Sequence, residues 1–232
     1  MRHTQRLSTI GVMAALTVTL AACGGTAAPT AAPSSAMAAP SAAAASSPSM
    51  SAPAAASTGV TTNADVFGPA CSQLPQGDAP GSLDAMGPQP VATAASTNPL
   101  LSTLVTAVKA VPGLPDTLNN TQGITVFAPY NGAFDAVQKQ IGAPAFQGLL
   151  KDTNKLGGLL SYHVVGQRYD AKGLVAAGQT TELAGGNLTI GGTADAPTIT
   201  DGQGNTAKVL CGNIPTSNAT VFVIDRVLMP KS

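Results

Sequence analysis

The chain has 232 residues, with 11 basic and 11 acidic side chains and no tryptophan. A neutral chain without clustered Lys and Arg lacks the electrostatic footprint of a nucleic-acid binder. Charged residues make up only 9% of it and aromatics 3%. An ordinary globular domain carries about 25% charged residues, so part of this chain is expected to lie outside any packed core.

Arg2, His3 and Arg6 open the chain with positive charge, and an apolar run follows from Leu7 to Ala22. That run is too short to span a bilayer comfortably and has the size of a signal-peptide core. It ends in Leu20-Ala21-Ala22-Cys23 followed by Gly24-Gly25. A Leu three residues before a cysteine, with small residues between, is similar to the lipobox of bacterial lipoproteins. The expectation is a signal peptide over 1–22, removed before Cys23, with diacylglycerol on the Cys23 thiol and palmitate completing the anchor. The alternative is a plain signal peptide with an incidental cysteine. Arg2 and Arg6 are not adjacent, so no twin-arginine route is indicated.

The three cysteines are Cys23, Cys71 and Cys211, an odd count for an exported protein. If Cys23 carries lipid, Cys71 and Cys211 remain to pair outside the cytoplasm, or to stand as two free thiols. Paired, they close a loop of about 140 residues, worth at most about 5 kcal/mol by chain entropy.

Residues 23–64 read as a lipidated cysteine and a disordered tether. The stretch is Ala, Pro and Ser with almost no charge. Proline interrupts any alanine helix, and too little apolar surface is present to offset ordering. Ser and Thr beside Pro also suit O-glycosylation on composition alone. Residues 65–230 are then one domain with room for a core.

Within it, residues 98–177 read as mainly helical. Asn98-Pro99 is a cap followed by a first-turn proline. Leu100, Leu101, Leu104, Val105 and Val108 recur at helical spacing. Thr125 to Ala128 reads as a buried strand stopped by Pro129. Asn131 is expected to cap a helix starting near Gly132, with Phe134 packing that helix on the sheet. Asp152 or Thr153 caps another helix that presents Leu156, Leu159, Leu160 and His163 on one face. Asp170 caps a short one ending near Gly178. From Gln179 onward, short β-rich runs alternate with turns at Gly185-Gly186, Gly191-Gly192 and Asp201 to Asn205. The final run, TVFVIDRVLMP, reads as one long strand covered on both faces and ended by Pro230. Helices first and a meander afterwards indicate an α+β domain.

Three stretches stand in order: TVFAPYNGAF at 125–134, SYHVV at 161–165 and TVFVIDRVLMP at 220–230. Together they resemble the fasciclin-type (FAS1) domain, over essentially Val66 to Pro230. The residues that carry the resemblance are Thr125, Val126, Phe127, Ala128, Pro129, Asn131, Phe134, Tyr162, His163, Val223, Ile224, Asp225 and Pro230. With the lipobox and the two remaining cysteines, the chain is similar to the fasciclin-domain surface lipoprotein antigens of mycobacteria and related actinobacteria. The resemblance implies a β-sandwich-like wedge of sheets flanked by several helices. It also implies a non-catalytic role in adhesion or cell-surface interaction, as a secreted antigen exposed to the host. The family box is departed from at Tyr130, where Thr is common, and at Gly132, where Ala is common. Tyr130 is expected to face outward, as a surface for an extracellular protein or matrix partner.

His163 is the only histidine of the domain. Ser161 lies two positions away, and on a helix such residues face different directions. No G-x-S-x-G is present. A structural His163, bonded to a turn at a helix end, is the expectation. One His and two paired cysteines do not make a zinc site, and Asp201 reads as a hairpin residue rather than a calcium ligand. No cofactor and no metal are expected. Asp225 and Arg226 are expected at a sheet edge or paired with other charges. The sequon-like Asn119, Asn187 and Asn218 read as turn and strand residues. The expected protein is a monomer on the extracytoplasmic face of the cell membrane, partly released. An extracytoplasmic lipoprotein that binds a small ligand or lipid in an apolar pocket is the alternative.

Overall fold

The computed structural model describes residues 59–231. The segments expected to be a signal peptide and a tether, with Cys23 between them, lie outside the described residues through residue 58. Residues 59–64, read above as the end of the tether, pack on the domain. Thr61 is buried, and Thr220 Oγ1 donates to the Gly59 carbonyl at 2.6 Å. Gly59 has a φ of +67°, and a Cβ there would run into the Arg168 carbonyl. Only glycine allows so close an approach in that conformation.

Helices dominate the first part: α1 (Leu83–Met86), α2 (Val91–Thr97), α3 (Ser102–Ala110) and α4 (Leu114–Asn120) lead into β1 (Ile124–Pro129). Then come α5 (Asn131–Ile141), α6 (Ala143–Lys151), α7 (Thr153–Tyr162), β2 (Val164–Val165) and α8 (Ala171–Ala177). The remainder is strand: β3 (Gln179–Thr181), β4 (Asn187–Thr193), β5 (Ala196–Thr200), β6 (Thr206–Pro215) and β7 (Ala219–Ile224). Local caps account for several boundaries. Asn98 accepts from Leu100 N–H, Asp152 from Lys155 N–H and Asp170 from Gly173 N–H, each removing an orphan donor of a first turn. Gly178, left-handed at φ +66°, closes α8.

The sheet order is β2-β1-β7-β6-β5-β4-β3. Its second and third strands, β1 and β7, are parallel, in register from Ile124 opposite Ala219 to Pro129 opposite Ile224. The other neighbours are antiparallel. The sheet curls until its ends meet. Val165 bridges Glu182, and Leu183 N–H donates to the Val164 carbonyl at 2.8 Å. The result is a nearly closed, barrel-like wedge that leaves little open edge. This is the α+β architecture expected, with α1–α7 against one face of a single curled sheet and α8 packed on the other core through Ala171 and Leu174.

Side-chain alternation along β1 and β7 divides the interior. Val126, Ala128, Val221 and Val223 face the helices and share a core with Leu104, Phe134 and Leu156. Phe127, Phe222 and Ile224 face the inside of the curl, with Leu188, Ile199 and Leu228. Phe127 and Phe222 are opposite in register, with ring centroids 6.0 Å apart. Cys71 and Cys211 form a disulfide across 140 residues, which ties the N-terminal segment to β6.

Three strand boundaries differ from the sequence reading. Pro129 is the last residue of β1 rather than the residue after it; as the terminal residue it has no ladder bond left to donate. The final apolar run is not one long strand, because β7 stops at Ile224. There the Asp225 carboxylate accepts from Lys208 N–H at 2.8 Å, while Asp225 N–H donates to the Lys208 carbonyl. The side chain thus replaces the next backbone acceptor and the chain turns away. β4 runs through Gly191-Gly192 rather than ending before them. Gly192 bends the strand at φ +78°, with its Cα against the Ala196 carbonyl, and the turn falls at Ala194-Asp195.

Candidate functional site

The first sequence box forms the corner where β1 becomes α5. Tyr130 N–H donates to the Ile224 carbonyl at 3.1 Å, so the parallel pairing continues one residue past the strand. Tyr130, not Asn131, occupies the cap position of α5. Asn131 acts elsewhere. Its Oδ1 accepts from Thr103 N–H at 3.0 Å and from Ser102 Oγ at 3.1 Å, and its Nδ2 donates to the Pro99 carbonyl at 2.9 Å. It therefore caps the first turn of α3, which has no side-chain cap of its own. Phe134 packs into the helix-side core, edge-on to Phe146 at 6.4 Å.

Tyr130 does not stand outward. It is half-buried against the helix-side core, and its ring folds over Gly132, where a Cβ would collide with the ring's Cζ and Oη. The two departures from the family box are thus one arrangement: the glycine makes room for the tyrosine. Beside this ring lies a groove of about 490 Å³, lined among others by Val137, Gln140, Asn205, Asp225 and Arg226. An apolar wall, three amides (Gln140, Gln203 and Asn205) and two opposite charges converge there, in the size range of ligand-recognition sites. Arg226 is exposed and Asp225 half-buried.

His163 is buried at the C-terminal cap of α7. Its Nδ1 lies 2.7 Å from the Leu159 carbonyl, and its Nε2 accepts from Leu228 N–H at 2.9 Å. These partners fix the neutral tautomer with the proton on Nδ1. Burial pushes its pKa down to about 4, despite the Leu159 carbonyl and the Asp201 carboxylate. Both ring nitrogens are taken by backbone groups, so the ring joins α7 to the segment after β7 and presents no free base to a substrate. Tyr162 is likewise buried, with its hydroxyl accepting from Gly202 N–H at 2.7 Å. Burial, reinforced by the Asp201 and Glu182 carboxylates, raises its pKa. Asp201 turns the β5–β6 hairpin as expected, accepting from Gln203, Asn205 and Met229 N–H.

At the opposite end of the β1–β7 pair the structure is densely bonded. Thr125 Oγ1 donates to the Gln167 carbonyl and accepts from Tyr169 N–H, both at 2.8 Å. Arg168 donates to Thr220 Oγ1 and to the carbonyls of Thr216 and Ala219; burial lowers its pKa. Asn218, read from the sequence as a turn residue, is buried. It accepts from Val91 N–H at 2.8 Å and donates to the carbonyls of Leu118 and Thr121, each at 2.7 Å. Asn119, in the last turn of α4, accepts from Ala92 N–H. Sequence reasoning missed these clamps, because their partners lie 27 to 127 residues away. Pro230, exposed near the chain end, accepts from Gln203 Nε2. Cys23 lies outside the described residues.

The three boxes therefore occupy the parallel strand pair, its exit corner and the helix end that closes the curl. A family model described as the fasciclin domain matches residues 99–230. The chain belongs to the fasciclin family. It is 42% identical over 175 residues to the cell surface glycolipoprotein MPT83 of Mycobacterium tuberculosis, covering 72% of this chain and 73% of that protein. It is 38% identical over 177 residues to the immunogenic protein MPB70 of Mycobacterium bovis, covering 72% of this chain and 83% of that one. A FAS1 domain pair from the insect cell adhesion molecule fasciclin I superposes with a TM-score of 0.53 at 19% identity. The match covers 61% of this chain and about half, 51%, of that two-domain chain; it bears on the fold alone.

Proposed function

We propose that this fasciclin-family protein is a non-catalytic, surface-displayed interaction module. Cys23 carries lipid in the membrane, residues 24–58 space the domain from it, and the domain contacts an extracellular protein or matrix component as a monomer. The observation that carries this reading is the polarity of the β1–β7 pair. The chain enters at Gly59, bonded to Thr220 near the start of β7. The Tyr130–Arg226 groove lies past the other end, beyond Ile224. Four residues of strand, about 13 Å, separate the two along β7. Relatives named as a cell surface glycolipoprotein and an immunogenic protein are consistent with display. The engagement of both His163 nitrogens with backbone supports the non-catalytic reading.

Two measurements test it. Cys23→Ala should move the protein from the membrane to the soluble extracellular fraction; retention as firm as wild type would refute the anchor. Panels of surface and matrix components, captured with wild type and with Arg226→Glu, should show a partner lost by the variant at unchanged Tm. A partner bound equally by both would place the contact elsewhere.

A further inference from the structure

A second feature, unconnected with the groove, lies on the helical side. An apolar slot of about 60 Å³ opens between α2, α3 and α4 and ends on β1 and α7. Its floor is buried and includes Leu104, Leu118, Val126 and Leu160, while Ala95 and Val105 stand half-exposed at its mouth. Among the described residues that line it, Lys109 alone carries a charge, since His163 at the floor is held neutral. Lys109 is exposed on the last turn of α3.

The surroundings have the same character. Residues 85–108 contain no charged side chain, so the α2–α3 wall of the slot is uncharged until Lys109, while the α4 wall carries the exposed Asp116 beside Pro115. One end of the slot is fixed: Asn218 and Asn119 tie the start of α2 to the end of α4. The other end is the α3–α4 turn, where Gly113 is left-handed at φ +77° and has open space around its Cα. The slot is therefore a wedge, clamped at one side and open at the other, with an apolar depth and a single cation at the lip.

We propose that this wedge binds a single-chain anionic lipid, a long-chain fatty acid. The chain's terminal carbons occupy the slot, its remaining methylenes lie along the uncharged α2–α3 surface, and its carboxylate pairs with Lys109. Hydrocarbon gains from each methylene removed from water, and the ammonium selects a carboxylate over a neutral head. Nothing covalent is involved, so association and release depend on the free acid's concentration.

The test uses the full chain carrying Cys23→Ala, so that no attached acyl group competes, and the fluorescent eighteen-carbon cis-parinaric acid as probe. Saturable enhancement, displaced by palmitic acid, is expected. Val105→Phe, at the half-exposed mouth, should weaken binding about tenfold, the equivalent of two methylenes kept out of the slot. Ala95→Phe should do the same, and Val105→Phe serves alone if Ala95→Phe does not fold. Lys109→Glu should weaken the acid about fivefold and leave the methyl ester unchanged. The proposal is overturned if no saturable binding occurs, or if Val105→Phe, folded with an unchanged Tm, binds as wild type does. It is also overturned if Lys109→Glu treats acid and ester alike, or if the protein binds phosphatidylglycerol vesicles but not the free acid. All of these readouts are independent of the Tyr130 groove.

Discussion

The two ends of the β1–β7 pair share one backbone register and differ in almost everything else. At the entry end, Thr125, Arg168, Asn218 and Thr220 satisfy backbone groups drawn from five separate segments. At the exit end, one backbone bond from Tyr130, the Asp225 contacts to Lys208 and the half-exposed Asn131 bonds to the start of α3 hold the corner, and a groove is left beside it. Buried polar groups are costly when unpaired and cheap to change when they face water. One end is therefore constrained by folding, while the other is free to vary for recognition.

Breaking the entry end should have the largest effect. Asn218→Ala removes hydrogen bonds to the Val91 amide and to the carbonyls of Leu118 and Thr121. A loss of about 4 kcal/mol is expected, from several buried groups left without partners, read as a lower urea midpoint at unchanged slope. The middle of the molecule should show an acid effect. His163 has a folded pKa of about 4 against an ordinary histidine value of 6.5, so between those values the unfolded chain binds more protons. Stability is fully present above about pH 6.5 and falls as pH drops toward 4, by about 3 kcal/mol in all. Urea titrations across that range should show the slope in wild type and lose it in His163→Gln.

The exit end should respond least. Gly132→Ala gains up to about 1 kcal/mol in helix propensity but pushes the Tyr130 ring off the core. A net change within about 1 kcal/mol is expected, with increased acrylamide quenching of tyrosine emission; the absence of tryptophan makes that signal readable. Arg226→Ala, fully on the surface, should change stability by less than about 0.5 kcal/mol while weakening any partner of the groove. A large loss of stability in either variant would erase the distinction between the ends.

What could be read from sequence follows the same division between local and distant partners. The caps at Asn98, Asp152 and Asp170 are legible because each bonds an amide two or three residues on. The buried β1 and β7 strands are legible because both faces are apolar. Asn131 has the right residue type for a local cap, but its amide is used on α3, 28 to 32 residues back. The end of β7 depends on Lys208, and the closure of the sheet depends on Glu182 meeting Val165. Periodicity carries none of this information. At the site, Tyr130 is legible through its departure from the family pattern. Its inward packing follows from Gly132, which the sequence shows only as a weak helix former.

The Cys71–Cys211 bridge also decides how the domain would carry mechanical load. A pull applied between Gly59 and Arg226 would pass covalently through residues 59–71, across the sulfur atoms, and along 211–226. The chain between the two cysteines would be outside the force path. At about 3.5 Å per residue, full extension would release roughly 100 Å, against roughly 590 Å for the reduced protein. Under tension, the oxidised domain is a short leash whose helices and first strands stay slack.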